Sequence, residues 1–315
     1  MPVIQSIKKM KKNNSPLIFF LLLTAPGANA QDSLMTLLQS KSSGGNETTI
    51  ATFKSTKIIS AQTNETVKKG NLDVRISHLF GNIGTEAGGG GVHTFYGLDQ
   101  SNDIHIGFDY GISDRLMVSY GRNKRQENLS GAVKFRLLQQ STNNKIPLAI
   151  TLFANATYTP KNDPEKIYSP MTRRTTYFAQ AIIARKFSSK FSFEIFPSFL
   201  HRNLVDLRVN PEDKNDLISL GAGGRLKLTH SFGIIADYFY SFRKESTGIA
   251  LYNPLSVGVE IETGGHVFSI MFTNASGLLE NDFIPNTTDS WNNGGYKLSF
   301  NISRIFKLKK NTVTS

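Results

Sequence analysis

Any chemistry in this chain has to come from carboxylates, amines and imidazoles. The 315 residues include no Cys, which excludes a disulfide, a zinc–thiolate site, a Cys nucleophile and a lipid-modified cysteine. The imidazoles are His78, His93, His105, His201, His230 and His266. They form no HExxH motif and no His-x-His pair, so a zinc site would have to be assembled from distant segments. A hydrolase would need a Ser/His or Asp/His pair. His78 with Asp73, His266 with Glu262, and His201 are the candidates for such a dyad. Pairs like these arise by chance in a chain of this length, so the expectation is no enzyme, no metal and no cofactor. Gly221-Ala222-Gly223-Gly224-Arg225 is not a phosphate-binding loop, because the Lys-Ser/Thr that completes the motif is missing.

A larger set of charges is more informative. Asp73, Arg75, Asp103, Asp109, Lys134, Arg136, Glu194, Arg225, Lys227, Asp237, Glu260, Glu262 and Lys297 fall on the polar side of alternating segments. They are six bases against seven acids. One reading is a polar channel whose opposed charges orient a solute. The other is a network of mutual ion pairs filling a narrow lumen, since buried ions need partners. The near balance argues against anion or cation selectivity.

These charges need elements that alternate faces. Strict two-residue alternation marks a strand with one apolar face. In 103–112, Ile104, Ile106, Phe108, Tyr110 and Ile112 share one face, and Asp103, His105, Gly107, Asp109 and Gly111 share the other. Similar alternation runs through 115–121, 129–137, 255–262 and 296–303. Weaker versions cover 72–80, 147–158, 175–186, 191–202, 216–228, 232–243 and 266–273. The pattern predicts twelve strands. Connections after even-numbered strands are short, with Thr263-Gly264-Gly265 read as a hairpin turn, and those after odd-numbered strands tend to be longer. That alternation is the mark of an outer-membrane barrel. The expected fold is therefore all-β: a closed antiparallel transmembrane β-barrel of about 12 strands, spanning 71–307. In lipid each backbone amide must find a partner, and among sheets only a closed one achieves this. A soluble β-sandwich is the alternative.

The first thirty residues read as an export signal. Lys8, Lys9, Lys11 and Lys12 precede the apolar run Leu17–Leu23, and Ala28-Asn29-Ala30 follows. This order is a cleavable signal peptide over 1–30, cut after Ala30. Its removal lowers 36 basic residues to 32 against 24 acids, and the net charge from +12 to +8. Nucleic-acid binding then loses its electrostatic case. Residues 31–70 form a separate N-terminal segment. Phe53, Ile58 and Ile59 could anchor it as a lumen plug, or it could hang loosely in the periplasm. Residues 308–315 are a polar tail. Gly294–Ile302 has the alternating aromatic look of a C-terminal strand recognised by the barrel-assembly machinery.

Several long segments point to a family. ATFKSTKIIS (51–60), LDVRISHLFG (72–81) and FYGLDQSNDIHIGFDYGISDRLMVSYGR (95–122) resemble the opening of a membrane-bound β-barrel family of unknown function in Gram-negative bacteria. DLISLGAGGRLKL (216–228), SVGVEIETGGHVFSIMFTNASGL (256–278) and ISRIF (302–306) resemble its second half. The resemblance implies an outer-membrane barrel and carries over no catalytic residues. The leading functional expectation is a porin-like pore for small solutes. The first rival is a closed scaffold barrel that binds a partner through loops 81–102 and 274–294, and the second is an outer-membrane hydrolase. The expected partners are outer-membrane lipid, the assembly machinery and a small solute, with no nucleic acid.

Overall fold

The computed structural model describes residues 51–84, 90–205, 207, 210–244 and 247–308. The expected signal peptide, residues 31–50 and residues 309–315 of the tail lie outside the described residues.

Twelve strands form one closed sheet. They are β1 (Asn71–Asn82), β2 (Ser101–Gly111), β3 (Leu116–Asn123), β4 (Leu129–Leu138), β5 (Ala149–Tyr158) and β6 (Thr175–Lys186) in the first half. The second half holds β7 (Phe191–Arg202), β8 (Asp216–Lys227), β9 (Phe232–Phe242), β10 (Leu255–Thr263), β11 (His266–Thr273) and β12 (Lys297–Lys307). Each pairs antiparallel with its sequence neighbour, and β1 closes on β12 from Asn71↔Lys307 to Asn82↔Lys297. The twelve strands lie within four residues of the expected ends. The last one runs on to Lys307, four residues further than its alternation suggests.

The two faces separate as lipid requires. Ile76, Ile106, Phe108, Leu152, Ile218 and Ile270 stand exposed on the outer wall. Tyr110, Tyr120 and Tyr177 are also exposed there, the kind of amphipathic ring that suits a membrane interface. Asp73, Arg75, Lys134, Glu194 and Asp237 on the alternate positions are buried. The turn between β10 and β11 is the two residues Gly264 and Gly265, both at positive φ (45° and 110°). A two-residue hairpin of the primed type needs that geometry, and glycine adopts it without steric cost.

The inner face departs from the expectation of small and polar residues alone. Phe153, Phe178, Ile182, Phe196, Leu200 and Phe239 all point inward and are buried. β9 reads FGIIADYFYSF, with large apolar residues on both faces, so period-two alternation is muted there. Gly221 leaves room for the Phe196 ring: a Cβ at that position would lie 1.8 Å from its Cε2. Gly221 thus serves a packed interior.

Candidate functional site

The lumen is occupied from both ends. Residues 51–69 enter from the end that carries the short turns. Lys69 N–H donates to Asp114 Oδ1 (3.0 Å) in the β2–β3 turn, and Ser192 Oγ donates to the Thr52 carbonyl (2.6 Å). The segment turns back on itself at Ile58–Ala61, where Ile58 N–H donates to the Ala61 carbonyl (2.9 Å). It forms no regular strand or helix, so its buried amides and carbonyls need side-chain partners. The wall supplies them.

Lys134 is fully buried. Its Nζ donates to the carbonyls of Thr56 (2.8 Å), Thr63 (3.1 Å) and Glu65 (3.3 Å). Asp237 Oδ2 accepts from the backbone N–H groups of Ser60 (2.7 Å) and Ala61 (2.8 Å) at the tip. Arg75 Nη2 donates to Ser55 Oγ (2.7 Å) and Thr56 Oγ1 (2.9 Å). Thr56 Oγ1 donates to Asp109 Oδ2 (2.8 Å). Arg136 pairs with Glu65 (3.1 Å), and Lys54 pairs with Glu262 (2.6 Å). Three cations of the wall (Lys134, Arg75 and Arg136) and three anions (Asp237, Asp109 and Glu262) thus fasten the insert from several strands.

The remaining inward charges divide differently. Arg225 pairs with Glu260 (2.7 Å), and Arg75 approaches Asp73 (3.4 Å). These are the ion pairs that join two of the thirteen expected residues, so mutual pairing describes only part of the set. Glu194 is fully buried, and neither of its carboxylate oxygens has a hydrogen-bond partner among the described residues. Lys227 sits half-buried at the short-turn end of β8. Lys297 pairs with Asp289 at the other rim. Asp103 gathers the long connections there: it accepts from Arg125 N–H (2.9 Å), Asn123 Nδ2 (3.0 Å) and Leu278 N–H (3.0 Å).

The second occupant comes from the long connection between β11 and β12. A short helix, α1 (Glu280–Asn286), folds into the barrel mouth. Phe283 and Ile284 are fully buried against Phe196, Phe239 and Ala61. The Phe239 and Phe283 rings meet edge to face at 5.0 Å. Gln62 Nε2 donates to Glu280 Oε1 (3.1 Å), so the two inserts touch inside the barrel. Arg243 ties the end of α1 by donating to the Ile284 (3.4 Å) and Pro285 (2.9 Å) carbonyls. Burial pushes the Asp282 carboxyl up to about 7; Arg125 pulls the other way, and Asp103 and Glu280 add to the rise. The part of loop 274–294 expected to face a partner is thus turned inward. A seven-residue helix with Pro285 inside it carries no sequence signature that would have revealed this.

Of the imidazole candidates, the His78–Asp73 and His266–Glu262 dyads do not assemble, and His201 pairs with Asp216 instead. His78 and Asp73 lie on opposite faces of β1, with His78 stacked on Phe300 at 5.6 Å. His266 packs beside Phe268 on the outer wall while Glu262 reaches Lys54 inside. An odd separation in a strand forbids the first pair, and the same parity logic was available from spacing. His201 has both nitrogens engaged, by Asp216 (2.6 Å) and Asn203 (3.0 Å). His105 lies buried against Asn123 (2.7 Å), while His93 and His230 are exposed. Among the described residues no three His, Asp or Glu side chains converge as metal ligands.

Comparison with known proteins agrees with the architecture. Residues 53–306 match the membrane bound beta barrel domain family DUF5777. The chain belongs to this family of membrane-bound β-barrels, and the match begins inside the inserted segment. Among curated proteins none matches the sequence. Among solved structures, the NanC porin is similar at 9% identity and a TM-score of 0.45, over 74% of this chain and 98% of that one. The COG4313 outer membrane channel from Pseudomonas putida F1 is similar at 13% identity and 0.44, over 77% and 98%. At these values neither neighbour carries weight for what this chain does.

Proposed function

We propose that the protein is a plugged, porin-like barrel of the outer membrane, a transport-related conduit for small solutes that rests in a closed state. The observation that carries this reading is the polar fastening of residues 51–69. An insert held by Lys134, Asp237, Arg75 and Arg136 exchanges protein hydrogen bonds for water when it leaves, so its release is far cheaper than unfolding the wall. Conduction also requires α1 to withdraw its phenylalanine from the apolar cluster. The reading assigns no enzymatic role.

The second reading is a closed scaffold barrel. The filled lumen supports it, together with exposed Val92, Phe95 and Tyr96 on the connection between β1 and β2. Recording the full chain in planar bilayers separates the two. The conduit reading expects a closed baseline at low voltage with discrete openings as voltage rises. A barrel shown to be folded by its heat-dependent gel shift, yet silent at every voltage, would overturn the conduit and leave the scaffold.

A further inference from the structure

The mouth formed by the long connections holds a cavity of about 580 Å³. That volume suits a small-molecule ligand. Its charged lining among the described residues is Arg125, Arg173, Arg174, Arg202, Asp213 and Asp282. Two of the arginines are committed. Arg202 forks onto Asp213 through two bonds (2.9 and 2.6 Å). Arg174 donates to the carbonyls of Thr159 (2.9 Å) and Lys161 (2.8 Å) and lies 3.7 Å from Asp163. The other two keep spare N–H groups. Arg173 donates one long bond, to the Ile167 carbonyl at 3.4 Å. Arg125 Nε lies 4.0 Å from Asp282 Oδ1, at the limit of an ion pair. Asp282 is only 4% exposed, and its Oδ2 has no hydrogen-bond partner among the described residues. The cavity is therefore lined by two under-used guanidinium groups and by a buried carboxyl, one oxygen of which lacks a hydrogen-bond partner among the described residues.

We infer that this cavity is a binding site for a small organic anion, with Arg125 and Arg173 taking its carboxylate or phosphate. A guanidinium fork matches both oxyanions, and such charge-assisted bonds are stronger than neutral ones. Thr159 and Asn286 also line the cavity and add polar groups for the rest of such a ligand. Burial that raises the Asp282 carboxyl toward neutrality removes the acid that would otherwise oppose the anion. The position at the long-loop end makes it the place where the proposed conduit would take up its solute. That role rests on the conduit reading; the binding itself does not.

The test is calorimetric titration of the full chain in detergent micelles with glucuronate, glucose 6-phosphate and neutral glucose. The expected result is binding of one or both anions at least tenfold tighter than glucose. Arg125→Gln with Arg173→Gln should then weaken the anion at least tenfold, with the heat-dependent gel shift unchanged. If the pair fails to fold, Arg173→Gln alone, on an exposed side chain, should weaken it several-fold. Anions that bind no better than glucose, or a folded variant that binds them as well as the parent, would overturn the site. Because no current is read, a silent barrel in bilayers does not bear on this result.

Discussion

Replacing Lys134 with Met should unseat the inserted segment while leaving the barrel closed as a sheet. Met keeps most of the stem volume but none of the N–H donors. Three carbonyls, of Thr56, Thr63 and Glu65, then lose a partner at 2.8, 3.1 and 3.3 Å. A hydrogen bond to a charged group contributes roughly 1.5–3 kcal/mol, and a buried group left unpaired costs about 1–3 kcal/mol. Sparing the desolvation of a fully buried ammonium offsets part of that loss. The net weakening of the seated state is about 3 kcal/mol, or about 100-fold in the released fraction at roughly 1.4 kcal/mol per decade. The chain has no Cys, so Ser60→Cys provides a single reporter at the buried tip, where Ser60 is held through its backbone N–H. Cysteine keeps that bond. The rate of labelling by an impermeant thiol reagent follows the released fraction when reseating is fast. It should rise about 100-fold in S60C/K134M over S60C. A rise of less than threefold, with the gel shift intact, would refute the argument that Lys134 fastens the insert.

Other outcomes follow from the same geometry. Phe283→Ala empties the centre of a buried aromatic cluster and should cost about 3–5 kcal/mol of α1 docking; limited proteolysis of residues 274–294 should become fast while the strands stay resistant. Gly221→Ala would place a Cβ 1.8 Å from Phe196 Cε2 and should lower barrel stability by about 1–3 kcal/mol, read as a lower temperature for the gel shift. Asp282 has a folded-state pKa raised to about 7 from 3.8, so the docked loop binds its proton more tightly than the released loop does. Docking should therefore weaken as pH rises between those values and level off above them. Asp282→Asn should remove that dependence, leaving proteolysis of the loop equal at pH 5 and pH 8; a variant with the parent's pH profile would contradict the assignment.

The wall of this protein was legible because lipid enforces parity. Outside residues must be apolar at every second position, and Ile104–Ile112 or Val257–Ile261 show it directly. Loop lengths supplied the topology, because short turns and long connections alternate. The interior was legible only in part. Asp237, Lys134 and Arg75 stood out as inward charges, but their partners did not. Ser60 and Asp237 are 177 positions apart, and the partner atoms are backbone amides, which carry no residue-specific signal. The inward phenylalanines of β6, β7 and β9 were hidden because these strands carry large apolar residues on both faces, where a two-residue period loses contrast. The seven-residue α1 is too short for a helical period to show. Parity could have rejected the His78–Asp73 dyad, whose members are five positions apart on one strand.

The central claim is that residues 51–69 are part of the folded barrel and fill its lumen. Amide hydrogen exchange of the full chain, read peptide by peptide, tests it most directly. Slow exchange is expected at Ile58, Ser60, Ala61 and Thr63, whose N–H groups donate to Ala61, Asp237 and Thr56, with protection far above that of an open chain. Exchange of these four amides at unstructured rates, alongside protected strands, would contradict it.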